Sequence, residues 1–227
     1  HLNGGLTMFD GKRFTRVKID SLNLSGDVTS IRQAGKYIWL TTSREGAIRC
    51  DFLQPGDTVL SAKQYGGKDG LSDVISSSYI DADGNYYCIL PNGGIKLYNR
   101  EEDTFKTFKP EGLTDYFSVV TLFMDSRGDF WFGTHYGGLY RLVKKTGEMK
   151  VYDVRDGLAG NFVSYITEDY RGNVWVGTWG GGITLFHDEK LRTFNRSNGL
   201  EALTIHCMAE DNEKNMIIAD HYTGISI

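Results

Sequence analysis

Little in this chain points to a cross-linked, metal-bound or membrane-spanning protein. Proline occurs 3 times and cysteine 3 times in 227 residues. Cys50, Cys88 and Cys207 stand far apart, are odd in number and form no C-x-x-C pair, so neither a disulfide framework nor a zinc site is written here. They are expected as buried strand residues, and their number permits an oxidising compartment without indicating one. No apolar run approaches the roughly 20 residues a bilayer-spanning helix needs, so no membrane segment is expected in this chain. A signal-peptide pattern is missing too; with His1 in first place, earlier removal of a leader is compatible with the sequence. The net charge of -4 is mild and spread along the chain, with no basic stripe to neutralise phosphates, which argues against a nucleic-acid partner. No stretch sustains apolar residues at i, i+3 and i+4, which excludes long helices. H-E-x-x-H, G-x-S-x-G and P-loop patterns are all lacking, so no catalytic residue is predicted and the chain is read as non-enzymatic, with no cofactor.

What the chain has in excess is glycine (28 residues) and aromatic side chains (13%), against 40% hydrophobic and 24% charged residues overall. These are ordered in a repeat. Asp169-Tyr-Arg-Gly-Asn-Val-Trp-Val-Gly-Thr-Trp-Gly-Gly-Gly-Ile183 is nearly matched by Asp125-Ser-Arg-Gly-Asp-Phe-Trp-Phe-Gly-Thr-His-Tyr-Gly-Gly-Leu139. Weaker copies run from Asp81 to Ile95, from Asp211 to Ile225 and from Gln33 to Ile48; the last keeps Trp39 without the leading Asp. Gly4-Gly5-Leu6 is the tail of another. Between the closing residues Leu6, Ile48, Ile95, Leu139, Ile183 and Ile225 the steps are 42, 47, 44, 44 and 42 residues. A period of this size in a β-rich chain denotes a stacked or circular array of small sheets.

The copy at 112–156 gives the template most clearly: Gly112-Leu113, a strand at 119–124, the turn Asp125-Ser-Arg-Gly128, a strand at 130–134, Gly137-Gly138, a strand at 139–143, a polar turn, and an outer strand at 149–152. Four short strands per step is the size of a propeller blade. The expected fold is therefore all-β, a β-propeller of four-stranded antiparallel blades with about five repeats: 21–66, 67–109, 110–153, 154–196, and 197–227 completed by 1–20. Two arrangements remain open, a closed five-bladed ring or an arc of a larger, seven-bladed one. The polar insertion 54–70 is expected to widen one blade. In the turns, Asp81, Asp125, Asp169 and Asp211 can accept hydrogen bonds from N–H groups ahead of them, and Gly supplies the positive φ. Trp39, Tyr87, Trp131 and Trp175 lie in the second strands, where a flat ring fills the gap between blades. Gly133-Thr134 and Gly177-Thr178 place small residues where sheets approach closely. Asp81-Ala-Asp-Gly-Asn85 looks like the start of a calcium loop, but its twelfth position is Asn92, so a turn is expected and no metal.

On the segments 131–139 and 175–183 the chain resembles the two-component regulator propeller repeat, G-L…D-x-x-G-x-x-W-x-G-T-x-x-G-G-L. The resemblance implies the extracytoplasmic, periplasmic sensor region of a bacterial hybrid two-component system of the Bacteroidetes type. Such a region reports carbohydrate breakdown products to a histidine kinase. It also implies partners: an oligosaccharide ligand, further blades or a second propeller in the parent protein, and a dimer of the full receptor.

Ligand contact is expected on the rim formed by the segments after Gly-Leu and before Gly-Gly, which vary most between copies. The candidates are Arg44, Asn92, Tyr116, Phe117, His135, Tyr136, Asn161, Phe162, Trp179, His221 and Tyr222. Rings beside Asn, His and Arg suit a sugar, whose C–H faces stack and whose hydroxyls need directional partners. A bland alternative is that the rings only seal a central channel. Two further readings are a lyase or hydrolase with a rim active site and a protein-interaction scaffold. Streptogramin-type lyases carry a similar Trp-containing repeat and use His with a metal-linked Glu. Here His135 and His221 occupy equivalent positions, but Glu168 and Glu210 belong to the opposite, turn rim.

Overall fold

The computed structural model describes residues 6–19, 22, 26–51, 59–113 and 118–226. Residue contacts divide the chain into two compact units, 1–108 and 109–227, each described by itself.

The first unit holds β1 (Leu6–Phe9), β2 (Phe14–Ile19), β3 (Val28–Ala34), β4 (Tyr37–Thr42), β5 (Ala47–Asp51), β6 (Val59–Leu60), β7 (Ala62–Tyr65), β8 (Ser77–Ile80), β9 (Tyr86–Ile89), β10 (Ile95–Asn99) and β11 (Thr104–Thr107). The second holds β12 (Val119–Met124), β13 (Phe130–Thr134), β14 (Leu139–Leu142), β15 (Met149–Tyr152), β16 (Val163–Glu168), β17 (Val174–Thr178), β18 (Ile183–His187), β19 (Lys190–Phe194), β20 (Ile205–Glu210), β21 (Met216–Asp220) and β22 (Gly224–Ser226). Strands adjacent in sequence pair antiparallel into the meanders β8–β11, β12–β15 and β16–β19, with β3-β4-β5-β7 as a fourth four-stranded sheet and β20-β21-β22 as a three-stranded one. These are the blades of a β-propeller, as the repeat predicts.

The 54–70 insertion does something other than widen a blade. Its β6 leaves the sheet of its own repeat and pairs parallel with β2, Lys18 opposite Val59 and Ile19 opposite Leu60. Leu60 is buried there against Val17, Leu40, Ile48 and Cys50, and that apolar seat accounts for the detour. Residues 54–58 of the insertion and Gly4-Gly5 lie outside the described residues.

The core lies between successive sheets, where strands such as β17 are covered on both faces. In β17, Val174 and Val176 pack with Trp131, Leu139 and Leu158, while Trp175 packs with Ile183, Ile205 and Met208 on the other side. In the first unit Trp39 stacks on Tyr86 of the next sheet at 4.3 Å. Such rings are worth about 1.5–3 kcal/mol each on burial. Close sheet approach also explains the Gly before each Thr: a Cβ on Gly133 would lie 2.6 Å from Val163 Cγ1, and one on Gly177 2.5 Å from Ile205 Cγ2. Cys50 and Cys88 are buried, and burial pushes both thiols up to about 12. The expectation fails for Cys207, which is exposed although it sits in β20.

The Gly-Leu anchors close single 3-10 turns that the repeat pattern alone did not specify. Gly67–Asp69, Val154–Asp156 and Arg196–Asn198 are each capped by the following Gly at φ 80, 102 and 98. The side chains of Asp153 and Asn195 accept the N–H of the residue two ahead.

Candidate ligand-binding rim

Three display loops are built by the Thr that ends a second strand. Thr134 donates its hydroxyl to the Gly138 carbonyl (2.8 Å) and accepts from Gly137 N (2.9 Å). Thr178 repeats the bond to Gly182 O at 2.9 Å, and Thr42 the bond to Gly46 O at 3.1 Å. The loop-closing glycine has no alternative. Gly138 and Gly182 sit at φ 77 and 97, and a Cβ there would meet a carbonyl oxygen of the outer strand at 2.2 Å. In the fifth copy Asp220 replaces Thr, accepting from Tyr222 N, Thr223 N and Thr204 N at 2.7, 2.8 and 2.7 Å. Burial would raise this carboxyl, but the three N–H groups outweigh it and hold the pKa at about 2.

Each loop is also tied to the next repeat through the main chain: Gly138 N donates to Asn161 O (3.0 Å) and Gly182 N to Leu203 O (3.1 Å). At the loop start, His135 N donates to Ser118 O, Trp179 N to Phe162 O and His221 N to Thr204 O, each at 2.9 Å. His135, Trp179 and His221 are therefore true equivalents, and their rings point onto one line.

In the second unit this line is continuous. His135 stacks on Tyr136 at 4.2 Å and meets Phe162 edge-on at 4.2 Å. Phe162 stacks on Trp179 at 5.7 Å, Trp179 lies 5.2 Å from His221, and His221 touches Tyr222 at 4.7 Å and His206 at 6.3 Å. Tyr136, Trp179 and Tyr222 are 69%, 42% and 75% exposed, and it is their contiguity that sets them apart from single exposed rings. The row thus presents flat apolar faces together with imidazole and phenol polar atoms.

Five other sequence candidates fall elsewhere or do other work. Tyr116 and Phe117 lie outside the described residues. Asn161 is half-buried and its amide oxygen accepts Val154 N at 3.1 Å, so it holds the loop that carries Phe162. In the first unit Arg44 is exposed on the Thr42–Gly46 loop, and Asn92 accepts Gly94 N at 3.1 Å within its own turn. His206 was not foreseen. It belongs to β20, where the register shifts between Ile205 and Cys207; a bulge at this place recurs in β3, β12 and β16. A bulge re-aims one side chain, and here it turns His206 toward the rim.

The opposite ends of the sheets are closed by the Asp turns. Asp125 accepts from Arg127 N and Asp129 N and, unforeseen, from Trp131 Nε1 at 2.9 Å. Asp169 does the same for Trp175 at 2.9 Å, and Asp81 accepts from Tyr87 OH at 3.0 Å, which spends both oxygens of the would-be calcium ligand on the turn. Glu168 and Glu210 clamp the preceding repeat here, accepting from Ser126 N and Tyr170 N at 2.8 Å each. Among the described residues no group of three His, Cys, Asp or Glu side chains is placed to hold a metal, and no helix is long and apolar enough to cross a membrane.

Comparison with known proteins agrees with this architecture. Residues 112–136 and 157–180 match the family model described as two component regulator propeller. The chain is similar to the extracellular domain of a putative hybrid two component system from B. thetaiotaomicron, with 26% identity over 89% of this chain, 27% of that chain and a TM-score of 0.68. It is similar to a second extracellular domain from that bacterium, of a putative one component system, with 20% identity, coverage of 98% and 32%, and a TM-score of 0.73. Virginiamycin B lyase from Staphylococcus aureus shares the fold at 14% identity, covering 90% and 70%, with a TM-score of 0.63. No curated protein matches the chain. It spans about a third or less of the two extracellular domains. Two of the units repeated along this chain, at 112–136 and 157–180, thus match the two-component regulator propeller repeat.

Proposed function

We propose that the chain is a ligand-sensing segment of an extracytoplasmic propeller in a bacterial two-component sensor. The ring row Tyr136–His135–Phe162–Trp179–His221 is its recognition surface and a carbohydrate breakdown product its ligand. The observation that carries this reading is the row itself: exposed rings from three successive repeats, aligned by equivalent main-chain bonds. The likeness to extracellular domains of two-component systems supports the setting. In that setting the parent protein works in the periplasm as a dimer with further blades, and binding biases the packing that a histidine kinase reads.

Calorimetric titration of the chain with a panel of oligosaccharides tests the proposal. Trp179→Ala and Tyr136→Ala are expected to weaken binding by about tenfold or more, some 1.4 kcal/mol, with unchanged melting temperature because both rings are exposed. Equal titration curves in both variants would overturn it. A lyase reading gains one observation, His135 and His221 on the row with His206 beside it; it requires turnover that His135→Ala or His221→Ala removes, whereas ligand recovered intact supports sensing.

A further inference from the structure

A cavity of about 410 Å³ lies in the first unit, away from its display loops, lined by Lys36, Tyr37, Trp39, Arg49, Tyr86, Tyr98 and Arg100. Its origin is visible when the same place is compared between repeats. In the second unit, Trp131 pairs across the sheet with Arg141, whose guanidinium lies 4.8 Å over the indole. Asp129, two residues before that Trp, takes the guanidinium edge, accepting from Arg141 Nε at 2.9 Å with Nη2 at 2.8 Å. In the first unit Trp39 pairs with Arg49 in the same register. Two residues before Trp39 stands Tyr37, not an acid. Arg49 uses Nη1 for Asp103 and for Tyr98 OH. Among the described residues its Nε and Nη2 have no acceptor.

The first unit therefore keeps the fork that Asp129 occupies in the second and lacks the carboxylate that fits it. Around this fork the described lining side chains are donors and rings. Arg49 lies 4.7 Å over Tyr37 and 5.6 Å from the Tyr98 ring, Lys36 stands at 5.1 Å over Tyr37, and Arg100 is exposed at the mouth beside Gly84. Among the described residues no carboxylate or amide side chain lines the cavity, so the hydroxyls of a neutral sugar would find few acceptors. An acceptor-only group finds a two-pronged donor, and a flat body finds ring walls. A volume of this size suits a small molecule.

We propose that this cavity is a second ligand site, for a small carboxylate carried on a flat ring, whose carboxylate takes on Arg49 the place that Asp129 takes on Arg141. The site shares no residue with the ring row, so either can fail alone. The probe is 4-hydroxyphenylacetate, titrated by calorimetry into the 227-residue chain, with its uncharged amide and inorganic phosphate for comparison. The carboxylate is expected to bind about tenfold or more tighter than the amide, a ratio typical of one charge-assisted bidentate contact, and tighter than phosphate, which lacks the ring. Tyr37→Asp, which supplies the acid within the chain, is expected to abolish binding while keeping or raising the melting temperature. The exposed pair Lys36→Gln and Arg100→Gln is expected to weaken binding about threefold to tenfold without unfolding. The proposal is overturned if millimolar carboxylate gives no binding heat, if the amide or phosphate binds equally well, or if Tyr37→Asp binds as the wild type does.

Discussion

Asp125 illustrates how one side chain serves three donors. Its carboxylate is fully buried and accepts two backbone N–H groups and the Trp131 indole N–H. Asp125→Ala would strand those donors away from water, at about 1–3 kcal/mol for each that finds no replacement. Guanidinium unfolding should show a loss of several kcal/mol, and a clearly smaller one for Asp211→Ala, whose turn is exposed. Gly138→Ala should also be damaging, since it adds a 2.2 Å contact to a left-handed backbone, while Gly67→Ala meets nothing within 4 Å and should be near neutral. Asp220 adds a pH dependence with a definite sign. Its folded pKa of about 2 lies below the ordinary carboxylate value, so its contribution is present above about pH 4 and is lost as pH falls toward 2. Asp220→Asn should flatten the acid limb of a stability–pH curve; an unaltered limb would show that these N–H bonds do not set it.

At the scale of the element, the same ionic clamp appears twice on the turn rim. Arg49 with Lys63 grips Asp103, and Arg141 with Lys150 grips Glu189; in each case the acid sits at positive φ in the turn between third and fourth strands of the next sheet. Burial alone would raise Asp103, but Lys63, Tyr65, Tyr98 and Arg49 together hold it well below the carboxylate range. The second clamp is drier because Asp129 and Arg141 are both about nine-tenths buried. Asp129→Ala should cost about 3 kcal/mol by leaving a buried guanidinium short of its partner; a loss under about 1 kcal/mol would mean that Glu189 alone suffices. These clamps were not legible beforehand. Arg49 and Arg141 fall ten places after a Trp in sequences that otherwise differ, and their acids lie 54 and 48 residues further on, beyond any local pattern. The strands, Asp turns and Gly-Gly loops were legible because their causes are local: alternation, an Asp two to four residues before its donors, a φ only glycine tolerates. The bulge that turns His206 outward and the strand exchange of Leu60 depend on packing across the sheets, which periodicity does not encode.

For the chain as a whole, the thiols provide separate reporters. Cys207 is exposed in the second unit, and Cys50 and Cys88 are buried in the first. One equivalent of thiol should react with a disulfide reagent in the native protein, and two more should appear only as the first unit opens. Reaction of all three at once under native conditions would contradict the interior of that unit. The rim row spans loops from three repeats, so what it recognises depends on side chains that contribute little to holding the sheets together.

That division has an evolutionary and engineering corollary. The stays that fasten one display loop to the next, Gly138 N to Asn161 O and Gly182 N to Leu203 O, are peptide groups, and a peptide group is the same whatever amino acid other than proline bears it. Exchange of residues 135, 136, 179, 221 and 222 therefore leaves the mooring untouched. Replacing these five positions by any residue but proline should yield folded variants of altered taste in ligand, while the flanking Gly tolerates almost nothing.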